Sequence, residues 1–255
     1  MNRYSFAILY LVKTELPLVN TIVPFRRLLA HTLAIYRDNF YLFAPIIVFI
    51  YLPLNTIFEL LTVRQPTGAE QTWDVLQKAL QISQVLEMFW GIFGTMALIY
   101  TVKVVITNTK SNVVDILVHV FSLGIKGIAT NLLMTILLIG LTVMLVIPGL
   151  IYLVYWQFAL TAVVLGGVSL NAALKYSKLL VKGRWWKTAQ YSFWIMTITL
   201  FATMIYSTIV IKGDNLIINI ANDTILNFIA AFGTIAATLL FLNLEITRVP
   251  TTNQE

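Results

Sequence analysis

Residues 128–165, with the sequence IATNLLMTILLIGLTVMLVIPGLIYLVYWQFALTAVVL, contain no charged side chain. A helix needs about 20 mostly apolar residues to cross the roughly 30 Å hydrocarbon layer of a membrane. The segment is long enough for two such helices, and Pro148 and Gly149 suit the turn between them, because proline costs no hydrogen bond in a first helical turn. Its apolar runs lack the alternation of a membrane β-strand. The segment therefore predicts a hairpin, with a third span over residues 128–147 and a short fourth span over residues 150–165.

Four other stretches of the chain have a similar length and apolar character. They are residues 40–61, 88–106, 188–211 and 225–244. Of all 255 residues, 59% are hydrophobic and only 11% are charged, whereas a soluble domain carries about 25% charged residues. This composition excludes a soluble globule and a disordered chain. The sequence therefore predicts an all-α, polytopic membrane bundle of six transmembrane helices.

The predicted organisation is a single integral membrane domain over residues 1–255. Residues 1–38 form a cytoplasmic N-terminal segment with interfacial helices, residues 39–245 form the bundle, and residues 246–255 form a cytoplasmic tail. Within the first segment, residues 4–23 contain an apolar run that is too short to span a membrane. We expect this stretch to lie at the interface, and a re-entrant seventh element is the alternative.

The basic residues predict the orientation of the bundle. Of the 17 lysines and arginines, all except Arg64, Lys78 and Lys212 fall on one side of the six predicted spans. Short cytoplasmic loops of membrane proteins carry such an excess of basic residues. We therefore expect both termini in the cytoplasm, and the loops at residues 62–84 and 212–223 outside.

An amphipathic helix is predicted before each odd-numbered span. Apolar positions recur at helical spacing in residues 26–37, 113–121 and 170–182, and Ser111 and Ser169 are the expected N-caps of the second and third helices. The residues expected to bend the chain from helix into span are Asp38, Asn39, Gly127 and Gly183. Three units of amphipathic helix plus hairpin predict a three-fold parallel repeat about an axis along the membrane normal. The alternative is six spans with basic loops and no internal symmetry.

Cations and indoles cluster on the third amphipathic helix and at the start of the fifth span. The members of this cluster are Lys175, Lys178, Lys182, Arg184, Trp185, Trp186 and Lys187. The first three lysines recur at spacings of three and four, which places them on one stripe of a helix, and tryptophan prefers the headgroup level of a membrane. The cluster predicts either an anchor that fixes the depth of the helix or a site for anionic lipid headgroups.

Three passages of the sequence resemble a known family. They are RLLAHTLAIYRDNF at residues 27–40, LVIPGLIYLVYWQFALTAVVL at residues 145–165 and SLNAALKYSKLLVKGRWW at residues 169–186. Together they resemble the six-span bacterial and archaeal membrane proteins related to YciC and to the membrane domain of glycerophosphoryl diester phosphodiesterase. The resemblance covers residues 25–245. It implies a multi-pass protein of the cytoplasmic (inner) membrane of a prokaryote.

The sequence departs from that family at one position. Relatives commonly carry a glutamate before the glycine that precedes the third amphipathic helix, where this chain has Leu165, Gly166 and Gly167 in succession. The phosphodiesterase relatives carry their catalytic residues in a separate soluble domain, for which we expect no counterpart here. The resemblance therefore implies a fold and a location, and no activity.

Residues suited to catalysis or metal binding are scarce. The chain has no cysteine, and its two histidines, His31 and His119, have only Asp115 as a nearby acid, which is too small a ligand set for a metal. It has no phosphate-binding glycine loop and no HExxH motif. Glu59 and Glu87 are expected near the outer membrane surface, where they can reach water. We expect no enzymatic activity, no cofactor, no metal and no nucleic-acid partner.

Three functions fit these features. The first is an accessory or scaffold subunit without enzymatic activity, whose cytoplasmic amphipathic helices contact anionic lipid or a partner subunit. The second is a transporter, exporter or immunity protein with a polar path lined by Asn55, Asn131 and Gln157. The third is a component of lipid metabolism, which would need Glu59 or Glu87 in a cleft beside a second titratable group. The sequence favours the first.

Overall fold

The computed structural model describes residues 22–63, 77, 81–82, 85–210 and 215–247, and over those residues it has helices and no strand. The helices are α1 Phe25–Asp38, α2 Phe40–Val63, α3 Ile92–Ile106 with a π-helical turn Glu87–Gly91 before it, α4 Val113–Met144, α5 Val146–Trp156, α6 Ala159–Gly166, α7 Asn171–Val181, α8 Trp185–Ile209 and α9 Leu216–Ile246. Apolar residues dominate most of these helices, and the buried polar side chains among the described residues are mainly threonines.

Six helical segments are long and apolar enough to cross a membrane, so the chain is a multi-pass membrane protein. They are Phe40–Leu61, Phe89–Ile106, Val113–Met144, Val146–Gly166, Trp185–Ile209 and Leu216–Ile246. The predicted all-helical, six-span architecture is confirmed. The sixth span begins earlier than predicted, because Asn215 caps α9 by accepting hydrogen bonds from the N–H groups of Ile217 and Ile218. Residues 216–223, predicted as part of an outer loop, are therefore helical.

The second amphipathic helix and the third span are one continuous helix, α4. The prediction of a bend at Gly127 is wrong: this glycine is helical and buried, and a side chain there would overlap the sulfur of Met96 on α3. The predicted N-cap, Ser111, is also wrong by one residue, because Asn112 caps α4. Asn112 accepts from the N–H of Asp115 at 2.8 Å, and Asp115 accepts from the N–H of Asn112 at 3.2 Å, which is a capping box.

The turn between the third and fourth spans lies at Leu145, before the predicted Pro148 and Gly149. Leu145 is extended and separates α4 from α5, whereas Pro148 lies in the first turn of α5, where its missing N–H costs nothing. Gly149 is helical and buried. A side chain at Gly149 would overlap Thr142 of α4, so this glycine allows the two helices to approach closely.

Burial alternates along the six spans. We compare the buried share of an apolar 18-residue stretch in each span. It is 50%, 44% and 44% in the second, fourth and sixth spans, and 28%, 11% and 6% in the first, third and fifth. Each amphipathic helix also packs on an even-numbered span: α1 on α9, the first half of α4 on α3, and α7 on α5 and α6. The even-numbered spans therefore form the inside of the bundle, in the cyclic arrangement that three repeated units require.

The helix α1 packs lengthwise on α9. Before α1 begins, Val23 donates its N–H to Asn243 at 3.1 Å and accepts from the hydroxyl of Tyr191 at 3.1 Å. At the far end of α1, the Tyr36 hydroxyl donates to the carbonyl of Phe228 at 2.9 Å, about four helical turns away from Asn243 on α9. Burial raises the pKa of Tyr36, so its phenol stays protonated and remains a donor.

Of the N-terminal stretch at residues 4–23, only the last two residues are described, and both Ile22 and Val23 are buried. The predicted interfacial position of the remainder lies outside the described residues. The predicted break between the first amphipathic helix and the first span is confirmed: Asn39 forms the turn between α1 and α2.

The helix α7 begins without a side-chain cap, so the prediction that Ser169 caps it is wrong. The residue that precedes the helix, Leu170, has a positive φ of 53° and donates its N–H to the hydroxyl of Thr130 on α4 at 2.8 Å. The predicted bend at Gly183 is confirmed, with a φ of 82°. A contact with another helix therefore fixes the start of α7, and a left-handed glycine follows its end.

The position of α7 differs from the one predicted. The sequence places Trp185 at the cytoplasmic surface and Ile151 at the opposite end of the fourth span. In the structure, the Trp185 indole donates to the carbonyl of Ile151 at 3.1 Å. The apolar face of α7 packs against α5 and α6, and this brings the α7–α8 bend alongside the fourth span.

Candidate functional site

The cation and indole cluster predicted at α7 lies on the outside of the bundle. On the inward side, Ala173, Leu174, Ser177 and Leu180 are buried, which confirms the predicted packing face of the helix. Leu170, the first of the apolar positions predicted over residues 170–182, is 45% exposed because it precedes the helix. The outward side is cationic. Its exposed members are Lys175, Lys178, Lys182, Trp186 and Lys187.

The three lysines of α7 keep their helical spacing but differ in their contacts. Lys178 lies above the ring of Tyr152, with its Nζ 4.8 Å from the ring centroid and 3.3 Å from the phenolic oxygen. Lys182 is the C-cap residue of α7, and its N–H donates to the carbonyl of Lys178 one turn earlier at 2.9 Å. Lys175 and Lys187 are exposed, and Trp186 between the bend and α8 is 82% exposed.

Arg184 and Trp185 have structural roles within this cluster. The Arg184 guanidinium donates to the carbonyl of Leu180 at 3.1 Å and to the carbonyl of Leu244 at 2.8 Å, and also to the hydroxyl of Thr247. It therefore joins the end of α7 to the end of α9, where unpaired carbonyls need donors. Trp185 is held by its bond to α5 and by a perpendicular contact with the Trp186 ring. The residues available to a ligand are the lysines and Trp186.

Sequence reasoning missed the part that Ser177 plays. The fourth span is broken between α5 and α6, at Gln157 and Phe158. The buried hydroxyl of Ser177 donates to the carbonyl of Tyr155 at 2.7 Å and accepts from the N–H of Phe158 at 3.2 Å. A break inside an apolar span leaves backbone groups that need partners. The only sequence signal was a serine on the apolar face of an amphipathic helix.

The three polar residues predicted to line one path do not come together. Asn131 and Gln157 line the same cavity between α3, α4, α6 and α9. Asn55 lies elsewhere, donating to the hydroxyl of Thr224 at 3.2 Å and accepting from the amide of Asn227 at 3.4 Å. The structure therefore brings two of the three residues to one cavity, while the amide of Asn55 joins α2 to α9.

The remaining polar candidates are dispersed. His119 stacks on Tyr100, with ring centroids 4.1 Å apart, whereas His31 lines a separate cavity between α1, α3 and α9. Glu59 is only 3% exposed, unlike the water-exposed carboxylate that the sequence predicted. The side chain of Glu87 lies outside the described part of the structure, and so does its predicted position near water.

Comparison with known proteins yields one family. The family described as a domain of unknown function, DUF7847, matches residues 91–247, which run from the start of α3 to the end of α9 and make up more than half of the chain. The sequence matches no curated protein. It matches no solved structure either. The matched residues include the central even-numbered spans, α7 and the cationic cluster, and the chain therefore belongs to the DUF7847 family.

Proposed function

We propose that this protein is an integral membrane protein without enzymatic activity, an accessory or scaffold subunit that binds anionic lipid headgroups at the α7–α8 bend. The supporting observation is that Lys175, Lys182, Lys187 and Trp186 are exposed together while the apolar face of α7 is buried in the bundle. Their exposure leaves the three lysines accessible to a ligand, and Trp186 also packs against the ring of Trp185. Cations beside an indole suit the headgroup region of a membrane.

We further propose the setting in which this binding takes place. The distribution of basic residues supports both termini in the cytoplasm. The resemblance to proteins related to YciC supports the cytoplasmic membrane of a prokaryote. In that setting the bonds of Arg184 to Leu244 and Thr247, at the C-terminal end of α9, support a position of the α7–α8 bend toward the anionic cytoplasmic leaflet or toward a partner subunit that carries acidic groups, even though Trp185 also contacts Ile151 of the fourth span.

The test compares two triple variants of the full-length protein in detergent micelles. The first is Lys175→Gln, Lys182→Gln and Lys187→Gln, which leaves the contact of Lys178 with Tyr152 intact. The control is the triple variant Arg26→Gln, Arg27→Gln and Lys126→Gln, which removes three exposed cations elsewhere. The measurement is binding of phosphatidylglycerol, with phosphatidylcholine as the uncharged comparison.

Each cation near an anionic leaflet contributes about 1 kcal/mol of attraction. We therefore expect the first triple variant to bind phosphatidylglycerol about tenfold or more weakly than the parent, and the control to lose much less. Equal loss in both variants would mean that only the net charge matters. Unchanged binding in the first variant would leave the lysines as a docking surface for a protein or as a solvated face.

A further inference from the structure

The cavity between the even-numbered spans has an uncharged polar lining. Its volume is about 410 Å³, and it lies where α3, α6 and α9 meet α4. Small-molecule sites are usually concave, mostly apolar and about 300–1,000 Å³ in volume, with a few polar groups that orient the ligand. The polar residues here are threonines, amides and Tyr51, and none of the lining residues carries a charge at neutral pH.

Three of the threonines occupy corresponding positions in the three units. They are Thr95 on α3, Thr161 on α6 and Thr234 on α9, and all three line the cavity. In each case the next two residues are fully buried. These pairs are Met96 and Ala97, Ala162 and Val163, and Ile235 and Ala236. The three even-numbered spans therefore present the same turn of helix to a common centre.

The residue before each of these threonines gives a second, independent correspondence. Gly94 lies against Tyr51 of α2, and Gly233 lies against Thr199 of α8. In the middle unit the large and the small residue change places: the residue before the threonine is Leu160, and the residue that it contacts on α4 is Gly127. Each position therefore packs on the odd-numbered span of its own unit, and this orients the neighbouring threonine toward the cavity.

The cavity lining has unused hydrogen-bonding capacity. Thr95 donates to the carbonyl of Gly91 and Thr238 donates to the carbonyl of Thr234, which leaves their oxygens as acceptors. Among the residues that the structure describes, the hydroxyls of Thr161 and Thr234 and the amide of Asn131 have no hydrogen-bond partner. Donors and acceptors are therefore both available, from α4, α6 and α9.

We propose that this cavity is a binding site for an uncharged, polyhydroxylated small molecule. Hydroxyl groups both donate and accept, so they can pair with threonine and amide side chains on three sides. A charged ligand would lose its hydration without gaining a counter-charge, which is unfavourable inside a membrane bundle. This binding is separate from the lipid binding proposed at the α7–α8 bend and does not depend on it.

The chain contains no cysteine, so a single introduced cysteine reports on one position of the full-length protein. Met134→Cys on α4 and Ala237→Cys on α9 place reporters on two walls of the cavity without removing its polar groups, and Ser207→Cys on exposed α8 is the matched control. The measurement is the rate of modification by a small uncharged thiol reagent in detergent micelles. Sorbitol is the polyol probe, and gluconate is an anion of similar size.

We expect saturating sorbitol to slow modification of both cavity cysteines at least about threefold, as a ligand that protects the occupied state does. Gluconate should leave these rates unchanged, and neither compound should affect Ser207→Cys. The proposal is overturned if sorbitol protects neither cavity cysteine, if gluconate protects equally, or if Ser207→Cys is protected as well. It is also overturned if both cavity cysteines resist the reagent altogether, because the cavity would then be closed to small solutes.

Discussion

The second and third units of this protein start from similar sequence patterns and fold differently. In the second unit, α4 runs straight through Gly127 and joins the amphipathic helix to its span. In the third unit, the chain breaks at Gly183, and α7 and α8 are separate helices. Both glycines were predicted to bend the chain. The difference teaches that a glycine permits a bend, and that the contacts around it decide whether the bend forms.

Those contacts are visible on both sides of the comparison. Gly127 is enclosed by Met96 and Leu160, and a straight helix makes best use of the close approach that the missing side chain allows. No atom lies within 4 Å of the position that a side chain at Gly183 would occupy. The bend there is held by Arg184, which bonds to carbonyls at the ends of both α7 and α9. The third unit therefore depends on a tertiary contact that the second lacks.

The largest effect is expected for Arg184→Ala. The variant removes a charged donor from the carbonyls of Leu180 and Leu244, and charged hydrogen bonds contribute about 1.5–3 kcal/mol each. Because Arg184 is partly exposed, we expect a loss of about 2–3 kcal/mol in the free energy of unfolding. Lys187→Ala, which removes an exposed cation three residues away, is the control and should change stability by less than about 0.5 kcal/mol.

Arg184→Lys sharpens this test. A lysine has one ammonium group and cannot reproduce the planar fork that reaches two helix ends, so it should recover only part of the loss. The measurement is unfolding in mixed detergent micelles, followed by far-UV circular dichroism. If Arg184→Ala is as stable as Lys187→Ala, the guanidinium does not hold the bend.

The second prediction concerns Gly183→Val. The left-handed conformation costs an L-residue about 1–2 kcal/mol, and a β-branched side chain is least tolerant of it. We therefore expect Gly183→Val to destabilise the protein by about 2 kcal/mol and Gly183→Asn by clearly less, because asparagine adopts this conformation more readily. Thermal unfolding of the two variants is the measurement. Equal losses would show that crowding, and not backbone strain, makes glycine necessary.

The third prediction addresses the straight helix. Gly127→Ala forces Met96 to move, and overpacking of a well-packed core costs about 1–3 kcal/mol. Because the methionine side chain is flexible, we expect a loss near the lower limit, about 1 kcal/mol. Gly140→Ala in the same helix has open space around it and should stabilise by up to about 1 kcal/mol through helix propensity. If both substitutions change the free energy of unfolding in the same direction, close packing at Gly127 is contradicted.

Hydropathy and helical periodicity predicted the parts of this fold that depend on local sequence. The six spans, the amphipathic helices and the inward face of α7 follow from runs of apolar residues and their spacing. The missed features depend on residues distant in sequence, as in the contact of Arg184 with Leu244 or of Trp185 with Ile151. The break after α5 contains neither proline nor glycine. It is stabilised by Ser177, which local reasoning could not connect to it.

The candidate sites show the same division. The exposed cations of α7 could be predicted, because charge on the face opposite an apolar stripe remains outside. The threonine-lined cavity could not, since Thr95, Thr161 and Thr234 are ordinary residues in apolar helices until three helices meet. The pairing of Asn55 with Thr224 and Asn227 likewise needed the fold. Asn55 therefore joins two helices while Asn131 and Gln157 line a cavity, and only the fold distinguishes these two roles of a polar residue within a span.

The last prediction has the smallest expected effect and concerns how the first helix of the second and of the third unit is capped. The second starts with a local capping box at Asn112 and Asp115, and loss of an N-cap costs about 1 kcal/mol. The third starts without a side-chain cap and relies on Thr130 of another helix to accept from the N–H of Leu170. We therefore expect Asn112→Ala to destabilise by about 1 kcal/mol and Ser169→Ala to have almost no effect. Hydrogen exchange at the first turns of α4 and α7 is the measurement. Faster exchange at α7 in Ser169→Ala would mean that the serine caps this helix after all, and that both units begin by the same local rule.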